Sequence, residues 1–372
     1  MAKEPAIQSL TIQNLLSFGD KPEVVELRNL NVLIGPNGSG KSNLIEAIGL
    51  LQSTSNDLAK AINRGGPIEE WLWKGTSGTP LTASFEIAVN GADHGTPLRY
   101  LLTLASELGF RFRTNERLWS EESGFRFETL LPPAMPQQSS VLARIKDPEH
   151  HPEITYLGEL FSHVRLYRGW EFGSLAAIRE PCDAGLQNEY LEEDGSNLGV
   201  ILDRLLSLPR VKQEIIESLH TFYPGTKDLR TSVVGSKVQT RLEEAGLEKS
   251  IPLNRVSDGT VRWLALLAIL LNPDPPPLVC IEEPELGLHP DMIHEVAKLL
   301  IAASERMQII VTTHSDLLVE EFTEMPEAVM VCEKEDGASH FRRLETSKLG
   351  AWLKDYSLGE IWRRGHIGGN RW

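Results

Sequence analysis

Long apolar runs, cysteines and repeats are scarce in this chain of 372 residues, and so is positive charge. Its longest apolar run, Trp263 to Leu271, falls well short of the ~20 residues that a membrane span needs, so no membrane attachment is expected. No apolar stretch follows the opening Met-Ala-Lys-Glu-Pro, which argues against a secretory signal. Cys182, Cys280 and Cys332 are scattered without metal-site spacing. Cys280 and Cys332 sit inside apolar strand-like runs, where a free thiol is a small hydrophobe, and a reducing cytoplasm is the natural compartment. No heptad pattern persists, which excludes a long coiled-coil arm. Asp and Glu number 52 against 37 Lys and Arg, a net charge of −15 that argues against a surface coated for nucleic acid. Local basic clusters remain: Arg165 and Arg168 flank Tyr167, and Arg363, Arg364 and Arg371 gather near Trp362 and Trp372.

What the chain does have is GPNGSGKS, Gly35 to Ser42. It follows the apolar run Val32-Leu33-Ile34 and precedes a stretch in which Leu44, Ile45, Ile48 and Leu51 share one helical face. Strand, glycine-rich turn and helix form the context of a phosphate-binding loop. Gly35, Gly38 and Gly40 let the backbone turn its N–H groups inward on phosphate oxygens. The helix start adds partial positive charge, Lys41 a full mobile one, and the Ser42 hydroxyl is placed for Mg²⁺. With Pro36, Asn37, Ser39 and Asn43 completing the loop, the chain is expected to bind ATP with Mg²⁺.

Three further motifs follow in order. Val256-Ser257-Asp258-Gly259-Thr260 precedes a helix; Ser257 or Asp258 reads as an N-cap, or Ser257 and Gly259 as an anion site at the helix start. If that start faced a second subunit, ATP would be buried between two chains. Leu278-Val279-Cys280-Ile281-Glu282-Glu283-Pro284 is an apolar strand ending in paired acids. Taken alone, such acids mark an exposed turn. Beside a phosphate loop, Glu282 is expected to hold Mg²⁺ through water and Glu283 to polarise the attacking water as general base. Val311-Thr312-Thr313-His314-Ser315 puts His314 at a strand tip, placed to bond a γ-phosphate and sense its loss.

The coarse pattern predicts an α/β fold. Strands at Ile7–Gln13 and Glu23–Leu27 lead to Asn31–Ile34, and Phe18 in the first turn is either packed or available to stack on a base. Strand-like segments Thr79–Val89, Leu98–Ala105, Phe110–Leu118 and Phe125–Leu131 predict an antiparallel meander. A proline-rich loop, Leu131–Ser140, follows. His150-His151 lacks further ligands at useful spacing and reads as a surface turn. The last third alternates strands and helices, implying a sheet covered on both faces. Residues 1–58 then form an N-terminal lobe, 59–250 a strand-rich and partly helical insert, and 251–372 a C-terminal lobe.

The order GPNGSGKS, VSDGT, IEEPELGLHP, TTHS resembles the ABC-type ATPases, and among them the heads of SMC-like and OLD-like proteins. Leu191–Leu198 (LEEDGSNL) and Ser357–Gly369 (SLGEIWRRGHIGG) look like the stand-alone bacterial predicted ATPases of the AAA-type family with OLD-like domains. The resemblance implies a P-loop NTPase head with an antiparallel β subdomain. It implies a Walker A loop at Gly35–Ser42, a Walker B strand ending at Glu282, catalytic Glu283 and a switch His314. A signature at Ser257–Thr260 acting in trans and a D-loop in Glu285–His289 are implied too. Two departures stand out: Glu282 where Asp is usual, and Asp258 where the signature carries a second glycine. Gln187 is only a weak candidate for the Q-loop glutamine. Two functions are expected on this basis. One is a Mg²⁺-dependent ATPase that forms a homodimer around ATP and works on DNA or a DNA-associated partner, in repair or antiphage defence. The other is a slow, ATP-gated module that regulates a protein effector such as a nuclease or toxin.

Overall fold

The computed structural model describes residues 4–75, 82–91, 97–107, 111–129 and 138–369. Thr79–Leu81, Phe110, the proline-rich loop up to Gln137, and Arg371 and Trp372 lie outside the described residues. Contacts divide the chain into two compact units. One comprises Met1–Val164, Pro277–Val279 and Met307–Trp372, the other Arg165–Pro276 and Cys280–Arg306. Segment 59–250 therefore contributes to both units.

The first unit holds two sheets. In one, Leu30–Ile34 lies between two parallel neighbours, Gln308–Thr312 and Val329–Glu335, and Ala338–Arg343 closes the edge as an antiparallel hairpin partner. Every residue of Leu30–Ile34 and Gln308–Thr312 is buried, which is why both read as unbroken apolar runs rather than alternating ones. Asn31, Gln308 and Thr312 are the polar members, and the Asn31 amide is satisfied: Nδ2 donates to the Arg28 and Ile309 carbonyls, and Oδ1 accepts from Arg343 Nη2 at 2.6 Å.

The other sheet is the expected meander with two additions. Its order is Glu23–Glu26, Ile7–Gln13, Thr82–Asn90, Pro97–Glu107, Arg111–Trp119, Arg126–Glu128, antiparallel throughout. The two N-terminal strands join this sheet because Ile7, Leu10 and Ile12 bury one face beside Phe85, Ile87 and Val89. The Gly/Pro-punctuated stretch after the first helix holds two short helices, Leu58–Arg64, capped at its start by Asp57, and Ile68–Trp71, separated by Gly65-Gly66-Pro67. They are too short to carry a periodic signal. His150 pairs with Asp147 at 2.9 Å in an exposed turn, and His151 sits at the start of helix Pro152–Ser162.

In the second unit, Thr226–Val234, Lys237–Glu244 and Ile251–Pro252 form an antiparallel sheet with Cys182–Asp183 on the middle strand. Helix Asp258–Leu270 is buried from Thr260 onward, so it is apolar all round, and Trp263 stacks on Phe222. Its last carbonyl, Leu270 O, accepts from Arg306 Nη2 at 2.6 Å, a cation placed at the negative end of the helix dipole. The longest helices among the described residues have 14 residues, in line with the missing heptads.

One buried acid sits in the meander. Glu116 is fully buried and accepts from Tyr100 OH (2.7 Å), Ser140 Oγ (2.6 Å) and the Val141 N–H (3.0 Å). Burial nonetheless outweighs these donors and raises its pKa above the ordinary carboxylate range. A raised folded pKa makes its contribution to stability largest below the unfolded value of about 4.3, and that contribution is lost as pH rises through the folded value. Glu116→Gln should therefore shrink the wild-type advantage as pH rises from 5 to 8 in urea unfolding. A difference between the two proteins that does not change with pH would contradict this.

Candidate nucleotide site

In the first unit the turn from Ile34 into helix Lys41–Thr54 wraps tightly because two of its glycines have no room for a side chain. A Cβ on Gly35 would lie 2.2 Å from the Cys332 carbonyl oxygen, and one on Gly40 would lie 2.1 Å from Ser339 Oγ. Gly40 also has φ +111°, which L side chains rarely adopt. As the N-cap it brings no side-chain acceptor, so the first N–H groups of the helix are left for a ligand. Lys41 is almost buried, and its Nζ donates to Gly35 O (2.7 Å) and Pro36 O (3.1 Å), which holds the ammonium over the loop. Ser39 Oγ is buried with no hydrogen-bond partner, a cost of about 1–3 kcal/mol that a phosphate oxygen would remove. Asn37, Gly38 and Ser42 are exposed, and Pro36 and Asn43 half-buried. These residues fit a triphosphate, with the Ser42 hydroxyl open to a metal.

Residues some 300 positions away brace this loop from behind, and sequence reading missed them. Ser339 Oγ bonds Ser39 O (2.6 Å) and Ser17 Oγ (2.7 Å), and Cys332 Sγ donates to Ser39 O at 3.1 Å. Burial pushes the Cys332 thiol up to about 11, so it stays a neutral donor. The end of SLGEIWRRGHIGG lies here as well. A Cβ on Gly369 would be 3.4 Å from Gly35 Cα, the Gly369 N–H donates to Glu333 Oε1 (3.0 Å), and Arg342 Nη2 donates to Ile367 O (2.8 Å). The motif was visible in the sequence; its place under the phosphate loop was not.

His314 belongs to the same end of this sheet. Thr312 stands level with Leu33 on the neighbouring parallel strand and Thr313 N donates to Leu33 O, so exposed His314 leaves its strand where the phosphate loop begins. Phe18, by contrast, is fully buried and stacks on Phe341 at 5.8 Å. It is a core residue, not a base platform.

The second unit holds the acids and the signature. Strand Leu278–Glu282 starts in the first unit and passes into the second. At its end Glu282 Oε1 is buried without a hydrogen-bond partner, a hard oxygen suited to a divalent cation. Glu283 takes φ 46°, a left-handed conformation that costs a non-glycine residue about 1–3 kcal/mol. Its carbonyl accepts from Leu286 N (3.0 Å) and Arg262 Nη1 (3.4 Å). Arg262, another residue the sequence reading missed, lies 4.5 Å over the Phe172 ring. Burial lowers its pKa, with Glu285 and Glu283 opposing.

Ser257 is the N-cap of the signature helix Asp258–Leu270, its Oγ accepting from Thr260 N at 3.2 Å. A Cβ on Gly259 would lie 3.3 Å from Gly287 O, so the helix start packs on the turn Glu285–His289 that follows the acids. The second unit thus brings signature and acids together. Gln187 spends its amide on its own loop: Nε2 donates to Tyr190 O and Glu192 Oε1, and Oε1 accepts from Glu189 N. Asn197 of LEEDGSNL locks the same loop by donating to Gln187 O and Tyr190 O. The basic clusters have local partners: Arg165 covers the Tyr190 ring, Arg363 pairs with Asp316 at 3.0 Å, and Arg364 covers Tyr356.

The family described as "AAA domain, putative AbiEii toxin, Type IV TA system" matches residues 30–320. The chain belongs to that family. It is similar to the chromosome partition protein Smc of Mycobacterium tuberculosis (strain ATCC 25618 / H37Rv), 30% identical over 112 residues, or 30% of this chain and 9% of that protein. Smc of Lactiplantibacillus plantarum is 31% identical over 119 residues, or 32% of this chain and 10% of that protein. The matched segments thus span about a tenth of these relatives. Among solved structures, the Smc head bound to the C-terminal winged-helix domain of ScpA superposes with TM-score 0.64 at 18% identity, covering 92% of this chain and 99% of that one. A Pyrococcus furiosus Smc head with an extended coiled coil, bound to the C-terminal domain of ScpA, gives 0.60 at 16%, covering 94% and 99%. The fold is therefore that of an SMC-type P-loop ATPase head, as the motif order implied.

Two substitutions test the support of the loop. Gly369→Val, at φ +72° with its Cβ 2.9 Å from Val331 Cγ1, should weaken binding of a fluorescent ATP analogue about tenfold, or ~1.4 kcal/mol. Gly235→Val, in open space at a similar φ, should leave it unchanged. Equal affinities for the two variants would show that the C-terminal glycines do not brace the loop.

Proposed function

We propose that this chain is a Mg²⁺-dependent ATP phosphohydrolase that pairs with a second copy of itself around ATP. The loop Gly35–Ser42 grips the triphosphate through its backbone N–H groups and Lys41. Ser42 and Glu282 would hold Mg²⁺, which when bound draws charge from the phosphate oxygens. Glu283 takes a proton from the attacking water as general base, and His314 bonds the γ-phosphate and registers its release. Ser257 and Gly259, at the start of the signature helix, cap the γ-phosphate held by the other copy. The observation that carries this reading is the end of strand Leu278–Glu282, where a buried, partnerless Glu282 oxygen precedes a Glu283 held in a left-handed conformation.

A cytoplasmic site of action accords with the free cysteines and with the lack, among the described residues, of a helix long and apolar enough to cross a membrane. For the work done, the Smc relatives support action on DNA. The short helices favour a second reading, in which nucleotide state gates a bound effector protein. Structural neighbours solved with ScpA domains bound lend this reading support.

Steady-state turnover with and without double-stranded DNA separates the two. Glu283→Gln should bind ATP and lose at least 100-fold in turnover; wild-type turnover in that variant would move the base elsewhere. Ser257→Arg should lose turnover while retaining ATP binding, and unchanged turnover would rule out the shared site. Stimulation by DNA that disappears at high salt supports the DNA-working reading, and slow turnover indifferent to DNA supports the gated module.

A further inference from the structure

The segment that resembles the signature carries an aspartate at the start of its helix. Asp258 is the first residue of the helix Asp258–Leu270, and its side chain is 71% exposed. A carboxylate there favours the helix dipole but opposes any anion arriving at the same N–H groups. Behind it lies Arg179, whose side chain is 2% exposed. Its planar guanidinium is almost fully committed. Nε donates to Phe172 O at 2.6 Å, and Nη1 donates to Leu253 O at 3.3 Å and Val256 O at 2.7 Å. Nη2 pairs with the Asp258 carboxylate. One buried cation therefore fixes the backbone on the approach to Ser257 and meets Asp258 from the protein side, leaving the other side of the carboxylate to solvent. A buried guanidinium needs such a partner, and an exposed aspartate does not need a buried one. The asymmetry suggests that the pair has a purpose at the helix start.

We propose that Arg179 is a positioning residue of the signature: it fixes Val256–Asp258 and cancels the Asp258 charge, so that the start of the helix accepts the γ-phosphate of ATP held by a second copy. This rests on the shared-site reading above. Ser257 Oγ, bonded to Thr260 N and Thr260 Oγ1, is then presented beside a carboxylate whose charge is compensated. An unpaired Asp258 would repel the phosphate, and an unpaired Arg179 would attract it.

The test uses the full chain with Glu283→Gln, so that ATP persists. Two quantities are read: ATP affinity of the monomer at low protein concentration, and the protein concentration at half-maximal pairing in Mg-ATP by sedimentation. Arg179→Gln should weaken pairing tenfold or more with monomer affinity unchanged. Adding Asp258→Asn should restore most of it, because both charges are then gone. Asp258→Asn alone removes the negative charge while keeping a side-chain oxygen able to accept from Arg179 Nη2, and it should strengthen pairing several-fold, with monomer ATP affinity reporting that the fold is intact. A double variant that pairs as poorly as Arg179→Gln would reduce Arg179 to a structural brace and overturn the inference. So would an Asp258→Asn protein that pairs like its parent. A parent that ignores ATP overturns the shared-site reading and this inference together, whereas a parent that pairs but is indifferent to both substitutions overturns the inference alone.

Discussion

The backbone of the phosphate loop has to approach its own supporting strands more closely than any side chain allows. Gly35 lies against the Cys332 carbonyl and Gly40 against Ser339, so the loop is shaped from behind before any ligand arrives. The side chains bonded to Ser39 O of the loop are neutral: a hydroxyl, and a thiol whose pKa is raised by burial. Neutral support leaves the positive field of the loop to Lys41 and the helix start, where a triphosphate needs it. A charged brace would either compete with phosphate or bind Lys41.

Charge in the second unit is managed by buried arginines. Arg262 holds the carbonyl of left-handed Glu283 while lying over an aromatic face, and Arg179 spans three carbonyls and one carboxylate around the signature. Guanidinium suits both places because its fork bonds several carbonyls at once and keeps its charge when desolvated. The strain at Glu283 is then sustained by its surroundings, as expected where a side chain must be aimed.

What was legible in the sequence was whatever depends on local order. The apolar runs Leu30–Ile34 and Gln308–Thr312, the glycines of the loop and the acids at a strand end each announce themselves within a few residues. The four motifs in order carried the ATPase class. Contacts between distant segments were not legible. Nothing local says that Ile7–Gln13 joins the meander, that Ser339 lies under Ser39, or that Phe18 packs on Phe341 rather than a base. Arg179 was invisible for the same reason, since all its partners but Phe172 lie 74 to 79 residues further on. Helices of four to seven residues after the first long one escaped because fewer than two turns give no period to count.

The central claim is that ATP is held between two copies of this chain. It is tested most directly by the mass in solution of the Glu283→Gln protein, measured by analytical ultracentrifugation with Mg-ATP, with Mg-ADP and with neither. The account predicts a dimer with Mg-ATP alone and the monomer mass otherwise. A mass that is the same in all three conditions would contradict it.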